Sequence, residues 1–240
     1  IDFAKAAMSG FPPSYSKPAG RPAKASFTLV SEGDRTSLQS FVFDGGAASA
    51  QGVIELDSGG GLASAKLSQL RMSPGDDMRL DAQNGKDGLK LVVRGGSVDA
   101  RPFVQDLVGG GGREEAPAKD LDLDLKVSLL SGHNGQSLSN VEIRIVKRGA
   151  NMRDFRIAGR SGNAALSGGM LNTPAGQPPQ FYVRSGDGGA LLSFLDLYRR
   201  MDGGQLQLVA LNAGPRMSGV LSVRDFTLRN EPALRRLVTE

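Results

Sequence analysis

The chain has no cysteine, no tryptophan and only one histidine in 240 residues. The first absence removes disulfides, thiolate nucleophiles and thiolate-held metals together. The second and a total of 5% aromatic residues leave a core to be built from Leu, Val, Ile and Ala. The lone imidazole excludes a histidine metal cluster. It belongs to His133, between Gly132 and Asn134, a setting that predicts a hairpin turn rather than a general base. No apolar run reaches the ~18 residues of a membrane-spanning helix, and no secretory leader is visible. The chain begins at Ile1 without Met, which reads as a piece cut from something longer.

Nucleic acid is not an expected partner. The net charge of +4 is concentrated in residues 121–240, which hold 15 of the 29 Lys+Arg but 10 of the 25 Asp+Glu. No aromatics are interleaved with those arginines as a stacking platform would require. The surplus reads as a solvated face, with attraction to an anionic membrane surface as the sharper option.

What the chain has in quantity is glycine, 33 residues, and alternation. Residues 1–24 carry Phe11-Pro12-Pro13 and Pro18 and read as an extended lead-in, with room for a short helix between Phe3 and Met8. From residue 25, segments 26–30, 38–44, 52–56, 63–72, 78–83 and 89–94 each alternate polar with apolar, separated by Gly, Asp and Asn turns. A short helix capped by Ser97 or Asp99 closes this first β segment, 25–108. Gly109 to Gly112 opens a flexible loop, 109–118. A second segment, 119–240, resumes with strands at 119–129, 138–146, 152–157, 163–167, 180–184, 205–211 and 219–228. Within it Asp187 caps a helix expected over 187–200 and ended by Gly203-Gly204, and Pro232 opens another near 232–238. Short turns between short strands predict sequential antiparallel neighbours. The fold class is therefore mainly β, an antiparallel sheet with short capping helices.

Candidate chemistry is thin. Asp120, Asp122 and Asp124 start like a calcium loop, but Leu125 and Ser131 stand where Gly and Glu are required. Gly109 to Gly112 and Gly186 to Gly189 match neither phosphate-binding glycine pattern, and no Gly-x-Ser-x-Gly elbow exists. Paired acids beside aromatic platforms, as carbohydrate hydrolysis would need, are lacking. No enzyme activity, metal or cofactor is expected.

The alternation itself is the strongest signal. Leu121, Leu123, Leu125, Val127 and Leu129 share one strand face, with Asp120, Asp122, Asp124 and Lys126 on the other. Val141, Ile143 and Ile145, then Phe155 and Ile157, Phe181 and Val183, and Leu206 and Leu208 repeat the pattern. Between Val223 and Phe226 the phase slips by one, which predicts a bulge at Arg224-Asp225. Two readings stay open: the faces bury one another in a sandwich, or a curled sheet keeps its aliphatic face open to an apolar ligand.

The run GGALLSFLDLYRRMDGGQL at 188–206, followed by GVLSVRDFTLRNEPAL at 219–234, resembles the C-terminal region of the AsmA-like envelope proteins of the YhdP type. The hairpin 121–148 and SVDARP at 97–102 share the likeness, which covers roughly 97–240; residues 25–94 are compatible only as generic strands. The resemblance implies a periplasmic β-sheet folded into a U-shaped, lipid-lined groove. Its parent protein, anchored in the inner membrane, would be bridge-like and pass phospholipids to the outer membrane, serving outer-membrane lipid homeostasis. No anchor is present in these 240 residues, so transport is expected of the parent. Acyl chains would rest on Leu121, Leu123, Leu125, Val127, Val141, Ile143, Ile145, Phe155, Ile157, Leu206 and Leu208. Partners would be phospholipid acyl chains, the inner or outer membrane surface and other envelope proteins. The alternative is a non-catalytic β scaffold assisting outer-membrane assembly or tethering partners.

Overall fold

The computed structural model describes residues 1–3, 5, 7–9, 16–33, 35–108, 120–149, 151–174, 177–212 and 217–230. A two-residue ladder joins β1 (Met8–Ser9) to β2 (Ser16–Lys17). The first half of the main sheet comprises β3 (Lys24–Glu32), β4 (Arg35–Asp44), β5 (Ser49–Leu56), β6 (Leu62–Arg71), β7 (Asp77–Gly85) and β8 (Gly88–Asp99). After helix α1 (Arg101–Val108) come β9 (Leu121–Ser131), β10 (Ser137–Arg148), β11 (Asn151–Ser161), β12 (Ala164–Leu171) and β13 (Gln180–Ser185). Helix α2 (Gly188–Phe194), β14 (Met201–Asn212) and β15 (Met217–Leu228) complete the described chain.

All thirteen strands from β3 to β15 lie in one curved, unclosed sheet in strict sequence order. Sequence neighbours become hydrogen-bonded neighbours, most through short turns and β13–β14 through the α2 segment, and all but one pair are antiparallel. The exception is β8 and β9, which run parallel, Leu89 facing Leu121 and Asp99 facing Ser131. A parallel pair needs a crossover, and the connection containing α1 supplies it; the sheet is thus mixed rather than wholly antiparallel. It also runs unbroken through the boundary expected at 109–118.

Register turns the sequence alternation into continuous apolar rows. Directly paired residues share a face, and one row runs Phe41, Gly52, Leu67, Leu80, Val93, Leu125, Ile143, Ile157, Gly168, Val183, Leu208, Leu221 from β4 to β15. The next row toward α2 contains Met78, Gly95, Val127 and Val141, then Leu166, Ser185, Leu206 and Val223. The other face carries the charges. Arg94, Lys126 and Glu142 form one row across β8–β10, and Asp124, Arg144 and Arg156 another across β9–β11.

Helix α2 covers one end of the apolar face. Its Asp187 cap accepts from Ala190 N, as expected, but the helix stops at Phe194 instead of continuing toward residue 200. Leu195 and Asp196, the latter at φ 56, turn the chain, and Leu197 N and Tyr198 N both donate to Leu192 O. Gly203 and Gly204 are not helix terminators. They lie within β14, where Gly204 has φ 92 and a Cβ would stand 2.8 Å from Val223 Cγ1 and 2.9 Å from Phe226 Cβ. Asp225 on β15 has φ 56, and pairing is the same on both sides of it, Gly203 with Phe226 and Gln205 with Arg224. The irregularity expected at Arg224-Asp225 is therefore a matched pair, one residue per strand. It brings Val223 and Phe226 to the same side without shifting register.

An analogous event corrects β9. Asn140 on β10 has φ 50, and past it Leu130, not Leu129, enters the core beside Leu138; Leu129 is exposed. Strict alternation over five residues therefore holds for Leu121 to Val127 only. At the N-terminus, Phe3 N donates to Ala23 O and Met8 pairs with Lys17, where a short helix was expected. The loop 109–118 and the helix expected near 232–238 lie outside the described residues.

Candidate functional site: an apolar face covered at one end

The core is concentrated where the helices sit. Val98, Val104, Val127, Val141, Leu166, Leu191, Leu192, Phe194 and Leu206 form one buried cluster, and Val141 is fully buried at 0% exposure. Phe194 reaches the β9–β10 turn so closely that a Cβ on Gly132 would collide with its ring. That turn has the hairpin chemistry foreseen for it. Asn134 and Gly135 take φ 56 and 71, and Gln136 N donates to His133 O at 2.9 Å. His133 N donates to Phe194 O, and Asn134 Nδ2 donates to Ser193 O at 2.8 Å and to Asp196 Oδ1 at 3.0 Å. His133 is thus a turn residue fastening α2.

The same helix reaches β14 and β15 at its other end. A Cβ on Gly188 would stand 2.9 Å from Leu206 Cβ and 3.3 Å from Val223 Cγ1. In a flat sheet β10 and β14 lie four strand spacings apart, about 19 Å, whereas seven helical residues span about 10 Å. One short helix thus joins the β9–β10 turn to β14 and β15, which a curved sheet brings within its reach. Ser161 Oγ on β11 and Ser185 Oγ on β13 reinforce the curl by donating to the same Asp187 carbonyl, at 3.3 and 3.0 Å.

Away from α2 the apolar rows continue, and among the described residues no second large sheet packs on them. Leu121, Leu123, Leu125, Ile143, Ile145, Phe155, Ile157 and Leu208 are half-buried, and among the described residues the only other sheet is the β1–β2 ladder. Neighbours in the sheet flank these side chains. Phe155 and Phe181 meet edge to face with centroids 5.8 Å apart, continuing the face from β11 to β13. The eleven residues expected to form a wall do share one face. The structure grades them: Val127, Val141 and Leu206 belong to the buried cluster with α2, Leu125, Ile143 and Ile157 pack half-buried against it, and Leu121, Leu123, Ile145, Phe155 and Leu208 are half-buried outside it. Sequence periodicity gave no signal of that grading, because covered and uncovered positions alternate identically.

The carboxylates that resembled a calcium loop are committed to internal partners. Asp122 pairs with Arg148, Asp124 with Arg94 at 2.9 Å, and Asp120 accepts from Gly149 N at 2.7 Å. The Arg148 hydrogen bond holds the Asp122 carboxyl below its ordinary range. Asp99, the last residue of β8, is similarly depressed by its hydrogen bond from Arg101 and accepts from Arg101 N, the first residue of α1, at 3.0 Å. Asp196 is lowered first by Asn134 and then by Arg199. No group of three His, Cys, Asp or Glu among the described residues is arranged to hold a metal ion. No described helix is long and apolar enough to cross a membrane.

Compared with known protein families, with characterised proteins and with solved structures, the chain finds no match in any of the three.

Proposed function

We propose that this chain is a lipid-binding segment of a bridge-like periplasmic phospholipid transport protein, holding acyl chains on the uncovered part of its apolar face. The observation that carries this reading is that the apolar face does not stop at the helix-covered core: Leu125, Ile143, Ile157 and Val183 flank that core while staying half-buried, and Leu121, Leu123, Ile145, Phe155 and Leu208 extend the face outside it. A purely structural face gains by being covered; one left half-exposed across neighbouring strands suits a removable apolar partner.

The chemistry is passive. Each methylene moved from water onto aliphatic side chains gains about 0.8 kcal/mol. Because the rows repeat every strand, a chain displaced by one strand spacing meets an equivalent surface. Retention then scales with length of tail, and no single side chain has to release the lipid. Headgroups remain in water at the margin of the face. The ion-paired carboxylates and the turn-bound His133 support a binding role in place of a catalytic one. The resemblance to the AsmA-like envelope proteins supports the periplasmic setting and the phospholipid cargo.

Native mass spectrometry of the purified chain tests the reading. Co-purifying phospholipid, displaced by a fluorescent fatty acid, is expected. A chain that carries no lipid and leaves the probe's emission unchanged would leave a scaffold in its place.

A further inference from the structure

The charged face of the sheet, opposite the apolar rows, contains a depression of about 800 Å³ over β8–β13. This lies within the range typical of small-molecule sites, roughly 300–1,000 Å³. We propose that it binds a phosphorylated sugar, with Arg144 and Arg156 taking the phosphate. Leu125, Ile143, Phe155 and Ile157 also border it, but the strand register puts their side chains on the opposite rows, so the proposal does not rest on the acyl-chain reading.

Arg144 on β10 and Arg156 on β11 are direct cross-strand partners. Like charges opposite each other destabilise a sheet, and here one carboxylate bridges them: Asp154 lies 3.1 Å from Arg144 Nε and 3.3 Å from Arg156 Nε. Both contacts use Nε, and among the described residues no acceptor engages the terminal amines of either fork. The two side chains are 52% and 74% exposed. The result is two guanidiniums positioned side by side from behind with their Nη donors unspent, an arrangement suited to bidentate capture of a phosphate. The other cations of the depression are occupied. Arg94 is tied to Asp124 and Lys126 to Glu142. The Arg144–Asp154–Arg156 group alone keeps a net positive charge.

A phosphate fills a small part of this volume, and the rest has the character of a sugar subsite. Its floor is small, with Ala158 and Gly169. The Tyr182 ring lies across Gly169, where a Cβ would stand 3.5 Å from Tyr182 Cε1. Arg184 sits 5.2 Å from the centre of that ring, and Asn172 adds amide donors and an acceptor at the rim. An aromatic wall, a floor without side-chain bulk and neutral hydrogen-bonding groups suit the edge and face of a pyranose.

Calorimetric titration of the intact chain with glucose 6-phosphate, inorganic phosphate and glucose tests the proposal. Saturable binding of glucose 6-phosphate is expected, with phosphate weaker and glucose weakest. The double variant R144Q/R156Q is on the exposed face and is expected to keep its melting temperature while binding glucose 6-phosphate at least about tenfold more weakly. Y182A is expected to weaken glucose 6-phosphate and leave inorganic phosphate unchanged, a split that a merely structural tyrosine would not produce. Flotation with phosphatidylcholine vesicles containing lipid A separates the sources of the sugar phosphate. Capture that is lost in R144Q/R156Q identifies a glycolipid headgroup, and binding of the soluble sugar alone identifies a free metabolite. If neither ligand saturates by about 10 mM, or if binding is the same in folded R144Q/R156Q, the proposal is overturned.

Discussion

The two ends of the apolar face are made from the same residue types at the same spacing, yet they do different work. Near α2, Val127, Val141 and Leu206 are sealed by Leu191, Leu192 and Phe194. A few residues along the same strands, Leu123 and Ile145 are half-buried and lie outside that cluster. The difference comes from what is placed over the strands and not from the strands themselves. The covered end supplies the stability and the curl; the uncovered end inherits the curl and is left with an unmatched apolar surface.

The comparison is broken most forcefully by one charge moved along β10. Val141→Asp places an unpaired carboxylate at a fully buried position and is expected to prevent folding, read as loss of the cooperative melting transition. Ile145→Asp, outside the buried cluster, is expected to leave a folded chain, with a melting temperature close to the parent's, and to abolish binding of a fluorescent acyl probe. Equal damage by both would mean that the two ends are one core.

Removing the cover is the next largest effect. Phe194→Ala takes away the ring packed on Gly132 and is expected to cost roughly 3–5 kcal/mol in denaturant unfolding. It should increase acyl-probe binding per folded molecule by exposing Val127 and Val141. Gly204→Ala sharpens the comparison from the sheet side. The position has φ 92 and faces Val223, so about 1–3 kcal/mol of destabilisation is expected, with the β14–β15 end loosened first in hydrogen exchange.

The smallest effect is electrostatic and belongs to the helix-bearing end. The Asp99 carboxyl is held below its ordinary value of 3.8 by Arg101. A carboxyl depressed in the folded state stabilises it above the ordinary range, and that contribution is lost as pH falls through the depressed folded value. Melting temperature is therefore expected to drop on acidification below about pH 4 and to drop less in Asp99→Asn, which lacks the ion pair with Arg101.

Strand order and most strand bodies were legible from alternation and turn residues because each strand pairs with its sequence neighbour. The Asp187 cap, the Asn134-Gly135 turn and the irregularity at Asp225 could likewise be read locally. Three features could not. Gly203-Gly204 looked like a helix stop, and only the paired strand β15 shows why β14 needs a glycine beside Val223 and Phe226. The swap of Leu129 for Leu130 depends on Asn140 one strand away. The parallel β8–β9 pair depends on where the crossover delivers the chain. Each is decided by a neighbour distant in sequence. The convergence of Arg144 and Arg156 on Asp154 was hidden similarly, since Arg144 and Asp154 belong to different strands and only their register joins them.

Photocrosslinking with a phospholipid bearing a diazirine at the end of its acyl chain tests the central claim most directly. Labelled residues should fall on Leu121, Leu123, Leu125, Ile143, Ile145, Phe155, Ile157 and Leu208, and spare Val127, Val141 and Leu206. Labels spread over the charged rows through Lys126 and Arg144, or none on β9–β11, would contradict it.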